Sequence, residues 1–418
     1  MPLSPVIRPA LSTLVALALL VPGGAVYAQS ASKPKPPTIT KAVAKEVAAA
    51  QAAIKGEKWV DCVAALAPAD AAAAKTAYDE FAVNELRMSC SARLSDFAVL
   101  GPALARTIEL GEANGFLDAE TLAARRLSLT RVYFQTKDYP RTIVAAERAL
   151  QSDPANGDAV RDLLMRSKFL TNDYAGTAAL VEAWVADQEK RGVKPEETAL
   201  GVWASACVRL KDNACAARAI DKQVRYAPNR EAWNNLVLLM LRSAPQERTL
   251  QVLRFADEVG ALEDGDQVSE YASLALEKGF PGEAEAALQR GVEAGKFGDR
   301  AKLPEGIRTL QQTARTQATA DRASMPRLAK EAGAQKTGTA EVRLGQAYTG
   351  YAQYAEAAGA IERGLAKGGV KDPAEANLSL GIARLRAGDK PGAATAFDAV
   401  KGDDFLQRLA GYWKLRTQ

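Results

Sequence analysis

Two kinds of side chain in this 418-residue sequence have types and spacing that could do chemistry. The first is cysteine. Cys62, Cys90, Cys207 and Cys215 form an even set with no Cys-x-x-Cys run and no metal-site spacing. In an oxidising compartment such a set forms two disulfides, and three connectivities are open to it. Pairing neighbours, Cys62 with Cys90 and Cys207 with Cys215, is the simplest, because each pair then falls inside one or two adjacent helical hairpins. The competing reading makes all four small residues of the core. The second kind is arginine three residues before phenylalanine, at Arg131 and Phe134 and again at Arg166 and Phe169. On a helix each pair shares a face, where the guanidinium can hold a carboxylate while the ring covers an apolar side chain. The plain alternative is a solvated arginine beside a phenylalanine packed on the next hairpin.

Much other chemistry is excluded. The chain has no histidine, which removes Ser-His-Asp and Cys-His nucleophile systems, His acid–base work and His-ligated metals. It carries no phosphate-binding or dinucleotide-binding glycine loop, so no cofactor and no metal are expected. Lys and Arg number 54 against 50 Asp and Glu, and a net charge of +4 is no electrostatic footprint for nucleic acid. With 48% hydrophobic, 25% charged and 6% aromatic residues and abundant alanine, the chain reads as close-packed helices and not as a disordered polymer.

The first 28 residues read as an export signal: Arg8, an apolar stretch from Leu11 to Val21, the breakers Pro22, Gly23 and Gly24, then Val26-Tyr27-Ala28 with small residues where cleavage needs them. Cleavage is expected before Gln29, leaving a periplasmic chain. The apolar stretch is well short of the roughly 20 residues that span a bilayer. The first cysteine lies too far on for a lipid anchor. Residues 29–41, which include the proline- and lysine-rich Ser30 to Thr40, read as an extended linker.

The elements that must hold these residues are repeated helix pairs. Leu344 to Leu365 and Leu380 to Val400 each carry a Leu-Gly pair, a helical stretch, a short break and a second amphipathic stretch. Gly345 and Gly381 are expected to face Ala357 and Ala393, with Ile361 and Phe397 filling the space beyond. Leu129 to Pro154 and Leu164 to Val185 repeat the pattern, with Lys137-Asp138-Tyr139 and Asn172-Asp173-Tyr174 at the turn. There the Asp can cap the second helix and the Tyr can pack back across the pair. Pro154 reads as a helix stop. Further copies run from Trp203 and from Pro228, and fainter ones start at Trp59, Phe97 and Phe280, for about eight hairpins in all.

On Trp233 with Leu236, on Leu344, Gly345, Tyr348, Tyr354 and Ala357, and on Leu380, Gly381, Ala393 and Phe397, the chain resembles the tetratricopeptide repeat family. The resemblance implies an all-α fold, a right-handed superhelical solenoid of helix-turn-helix repeats ended by a capping helix. The layout expected is degenerate hairpins over 42–120, repeats over 121–302, irregular alanine-rich helices over 303–338, two more repeats over 339–400, and a cap over 401–418. In the cap, Leu406, Leu409 and Trp413 share a face. The family's groove-lining positions, carried onto two adjacent units, select Leu127, Arg131 and Phe134, then Asp162, Arg166 and Phe169. The implied function is non-enzymatic: a periplasmic scaffold that holds an envelope protein or peptide in its groove. An association with TonB-type energy-transduction complexes follows by analogy of layout. The alternative is a peptidoglycan-acting glycosidase on a solenoid scaffold, which would need a sizeable non-repeat segment to shape a sugar cleft.

Overall fold

The computed structural model describes residues 37–153 and 157–418. The export signal, most of the linker and Pro154 lie outside the described residues. The chain divides between Leu94 and Ser95 into two units.

In the first unit α1 (Ala44–Lys55), α2 (Trp59–Leu66) and α3 (Ala77–Leu94) pack around Val47, Ala50, Leu66 and Val83. The Cys62–Cys90 disulfide joins α2 to α3, with Cα atoms 6.2 Å apart. The end of the expected linker is tied down. The Thr40 amide and hydroxyl both donate to Asp79 at 2.8 Å, and the Thr76 amide and hydroxyl donate to the same carboxylate at 2.8 and 2.9 Å. Burial pushes the Asp79 carboxyl up, yet the four hydrogen bonds together hold it below its usual value.

The second unit begins with α4 (Phe97–Asn114) and continues as hairpins. These are α5 (Ala119–Gln135) with α6 (Tyr139–Ser152), α7 (Asp158–Leu170) with α8 (Tyr174–Lys190), and α9 (Glu197–Leu210) with α10 (Asn213–Tyr226). They are followed by α11 (Arg230–Ser243) with α12 (Thr249–Glu258), and α13 (Gly265–Glu277) with α14 (Pro281–Glu293). A lone α15 (Glu305–Ala334) precedes α16 (Thr339–Gly350) with α17 (Tyr354–Lys367), α18 (Pro373–Arg386) with α19 (Lys390–Asp398), and the final α20 (Asp404–Lys414). Helices pack pairwise in chain order, as the resemblance implied. Residues 303–338, expected as irregular alanine-rich helices, hold one helix of 30 residues, α15. It runs on through Pro326, and Ala314, Ala318, Met325 and Ala332 keep one buried stripe along its length.

Four of the hairpin turns share one mechanism. Lys137, Asn172, Lys211 and Gly388 each adopt a left-handed backbone with φ of 61°, 64°, 59° and 86°. The following Asp138, Asp173, Asp212 and Asp389 each accept from the amide three residues on, at 2.8–3.1 Å. The left-handed residue reverses the chain and the aspartate answers an orphan N–H of the second helix. Within the C-terminal hairpins the glycines allow close approach: a Cβ on Gly345 would lie 2.5 Å from Ile361 Cγ1 and 2.7 Å from the Ala357 carbonyl oxygen. One on Gly381 would enter the Phe397 ring.

The C-terminal helix does more than end the stack. Leu406, Leu409 and Trp413 are fully buried. Trp413 stacks on Phe397 of α19, with centroids 6.3 Å apart, and meets the edge of Phe255 of α12 at 5.4 Å. Phe255 in turn contacts Trp233 of α11 at 5.7 Å. Helices from the middle and the end of the unit therefore share one aromatic core. Edge and stacked ring pairs of this kind add about 0.5–1.5 kcal/mol each beyond burial.

Candidate functional site

The six residues selected from the sequence fall into three environments. Arg131 is exposed on α5 and has no ion pair among the described residues. Arg166 is also exposed, on α7, and its Nε donates to Asp162 one turn back at 2.9 Å. The aromatic members are half-buried against their own hairpin turns, Phe134 on Tyr139 at 5.7 Å and Phe169 on Tyr174 at 5.3 Å. Leu127 packs with Ala146, Ala149, Val160 and Leu164. The structure thus joins Asp162 to Arg166 and each phenylalanine to its turn tyrosine, and leaves the two guanidinium groups facing water.

The equivalent positions change character along the array. Counted back from the left-handed turn residue, the places of Arg131 and Phe134, and of Arg166 and Phe169, are taken on α9 by Ser205 and Val208. Val208 is 42% exposed, and Leu170 on α7, Leu210 on α9 and Leu238 on α11 are 44%, 41% and 39% exposed. Exposed large apolar side chains thus occur on three successive first helices, α7, α9 and α11.

A second feature was not legible in the sequence. A cavity of about 450 Å³ opens between α8, α10, α11 and α20. Val185, Trp203, Leu236, Leu239, Met240 and Phe405 give it an apolar lining. Its rim is charged. Arg218 Nε donates to Glu182 at 2.7 Å, Lys222 Nζ to Glu189 at 2.6 Å, and the Tyr226 hydroxyl to Glu189 at 2.7 Å. The bonds from Lys222 and Tyr226 hold the Glu189 carboxyl below its usual range. Asp221 accepts from Arg225 at 3.0 Å, and that guanidinium lies over the Tyr412 ring at 5.7 Å. Burial, then the nearby Asp221 charge, raises the Tyr412 hydroxyl above its ordinary value. Arg408 lines the cavity, is exposed, and has no ion pair among the described residues.

Two other polar clusters are structural. Arg254, almost fully buried, grips Glu283 through two bonds of 2.6 Å, and the Tyr271 hydroxyl donates to the same carboxylate at 2.6 Å. Burial, the largest single influence, would raise Glu283, but the Arg254 charge and the hydrogen bonds from Arg254 and Tyr271 together hold the carboxyl below its usual value. The adjoining space of about 30 Å³ suits one water and little else. Arg248 binds Asp372, Glu375 and Asp403 at 2.7–2.9 Å. Among the described residues no group of His, Cys, Asp and Glu is arranged to hold a metal ion, and no helix is long and apolar enough to cross a membrane. The Cys207–Cys215 disulfide joins α9 to α10, with Cα atoms 5.4 Å apart, so both neighbour pairings are present.

No family model and no curated protein sequence matches the chain. Solved structures with similar arrangements include the TPR2AB domain of yeast Sti1 in complex with pHSP90, 14% identical, covering 65% of this chain and 97% of that one at a TM-score of 0.33. A tetratricopeptide repeat protein from Parabacteroides merdae is 14% identical over 71% of this chain and 99% of that one, at 0.26. The P58(IPK) TPR domain is 12% identical over 89% and 97%, at 0.22.

Proposed function

We propose that the protein is a non-enzymatic interaction scaffold of the cell envelope, holding a segment of another envelope protein against its first helices. One observation carries the reading: α5, α7, α9 and α11 present exposed groups, the Arg131 guanidinium on α5, the Arg166 guanidinium on α7 held by Asp162, and Leu170, Val208, Leu210 and Leu238 on α7, α9 and α11. An acidic stretch would answer Arg131 and Arg166, and an apolar stretch would cover the remainder. The two disulfides support an oxidising compartment, in keeping with export to the periplasm and cleavage after Ala28. Membership of a TonB-type assembly is the finer form of the same reading and rests on layout. A glycosidase would draw its cleft from the non-repeat stretch, and that stretch is one helix.

The test is capture of partners from crosslinked envelopes by Arg131→Ala/Arg166→Ala and by Val208→Glu/Leu238→Glu, with thermal melting alongside. Each desolvated Arg–carboxylate contact contributes about 1.5–3 kcal/mol, so the arginine pair should weaken capture about a hundredfold or more. Undiminished capture by both folded variants would place the binding face elsewhere, and recovery of intact Met1 in the membrane fraction would overturn the export reading.

A further inference from the structure

We propose that the cavity between α8, α10, α11 and α20 binds an amphiphile with one apolar chain and one carboxylate head, a medium-chain fatty acid being the simplest example. Its volume of about 450 Å³ lies within the range of small-molecule sites. Its lining of Val185, Trp203, Leu236, Met240 and Phe405 suits hydrocarbon.

Charge selects the head group. The three rim carboxylates are each matched, Glu182 by Arg218, Glu189 by Lys222, and Asp221 by Arg225. Arg408 is the lining cation left over, so the mouth has one unneutralised positive charge and takes one negative charge. The same accounting disfavours a peptide. Backbone N–H groups entering an apolar cavity need acceptors, and the rim carboxylates are already engaged. The site carries its rim charges on α8, α10 and α20 and includes α9 and α11 in its apolar wall, whereas Arg131 and Arg166 stand on α5 and α7. It therefore does not depend on the scaffold reading.

Titration calorimetry of the full chain with sodium dodecanoate, and separately with dodecan-1-ol, tests the assignment. Dodecanoate is expected to bind one to one and about tenfold or more tighter than the alcohol. Arg408→Gln should bring dodecanoate down to the alcohol's affinity and leave the alcohol unchanged. Ala186→Trp, at an exposed position on the cavity wall, should abolish binding of both without altering the melting profile. The proposal is overturned if dodecanoate fails to bind, if Ala186→Trp leaves its binding intact, or if acid and alcohol bind equally to the unaltered protein. Displacement of dodecanoate by an apolar peptide with an amidated C-terminus would instead assign the cavity to a polypeptide.

Discussion

Arg248 and Asp403 are 155 positions apart in the chain and in contact at 2.8–3.0 Å. Asp403 caps the start of α20 and Asp372 caps the start of α18. One guanidinium before α12 therefore gathers the N-terminal ends of two distant helices, with Glu375 as a third acceptor.

Removing that cation should be felt at a distance. Arg248→Ala leaves three carboxylates facing one another in a partly buried place, at an expected cost of about 2–3 kcal/mol. Urea unfolding measures the loss. Hydrogen exchange should show it concentrated in α12, α18 and α20, and uniform exchange across the unit would mean that the contact does not bind these helices together.

The disulfides differ in the length of chain they close, with separations of 28 and 8 residues. In the chain-entropy account, Cys62→Ala/Cys90→Ala should destabilise by about 3.5 kcal/mol and Cys207→Ala/Cys215→Ala by about 2.5 kcal/mol. Denaturant midpoints of the two double variants give the order, and non-reducing peptide mapping checks the pairing.

Asp79 makes the first unit sensitive to acid. Its folded pKa lies below the unfolded reference of 3.8, so it stabilises the folded form fully above that value. The contribution is lost as pH falls from there through the folded pKa. Exchange protection of α1–α3 should drop in this window, and Asp79→Asn should show reduced protection at neutral pH with a flatter response to acid.

Gly381 tests the close approach inside the last hairpin. Gly381→Ala drives a methyl into the Phe397 ring and should cost about 1–3 kcal/mol through overpacking, although alanine is the better helix former. At Gly201, which has open space around it, the same change should stabilise slightly. A matching gain at both positions would refute the packing argument.

Local features of this fold were readable because their causes are local. The Asp-capped turns, the glycine opposite Ile361 and the neighbouring cysteine pairs each follow from residues within one or two hairpins. The return of Trp413 onto Phe255 has no such signal, since nothing in either segment names the other. The cavity closed by Phe405, Arg408 and Tyr412 was hidden for that reason. At the candidate groove, the repeat spacing selected Arg131 and Arg166 and placed Tyr139 and Tyr174 back across each pair, but it could not show that Phe134 and Phe169 are the rings they meet. Side-chain choice between two neighbouring faces is decided by packing and not by period.

The burial of Trp413 between Phe397 and Phe255 also imposes a schedule. A chain made from its N-terminus can assemble α5 through α11 as each hairpin emerges, but Phe255 has no full enclosure until α20 arrives. Until then the middle of the array exposes an aromatic surface to whatever is nearby. A nascent or clipped chain lacking α20 is thus the species most prone to aggregate, and docking of that helix is the step that ends its vulnerability.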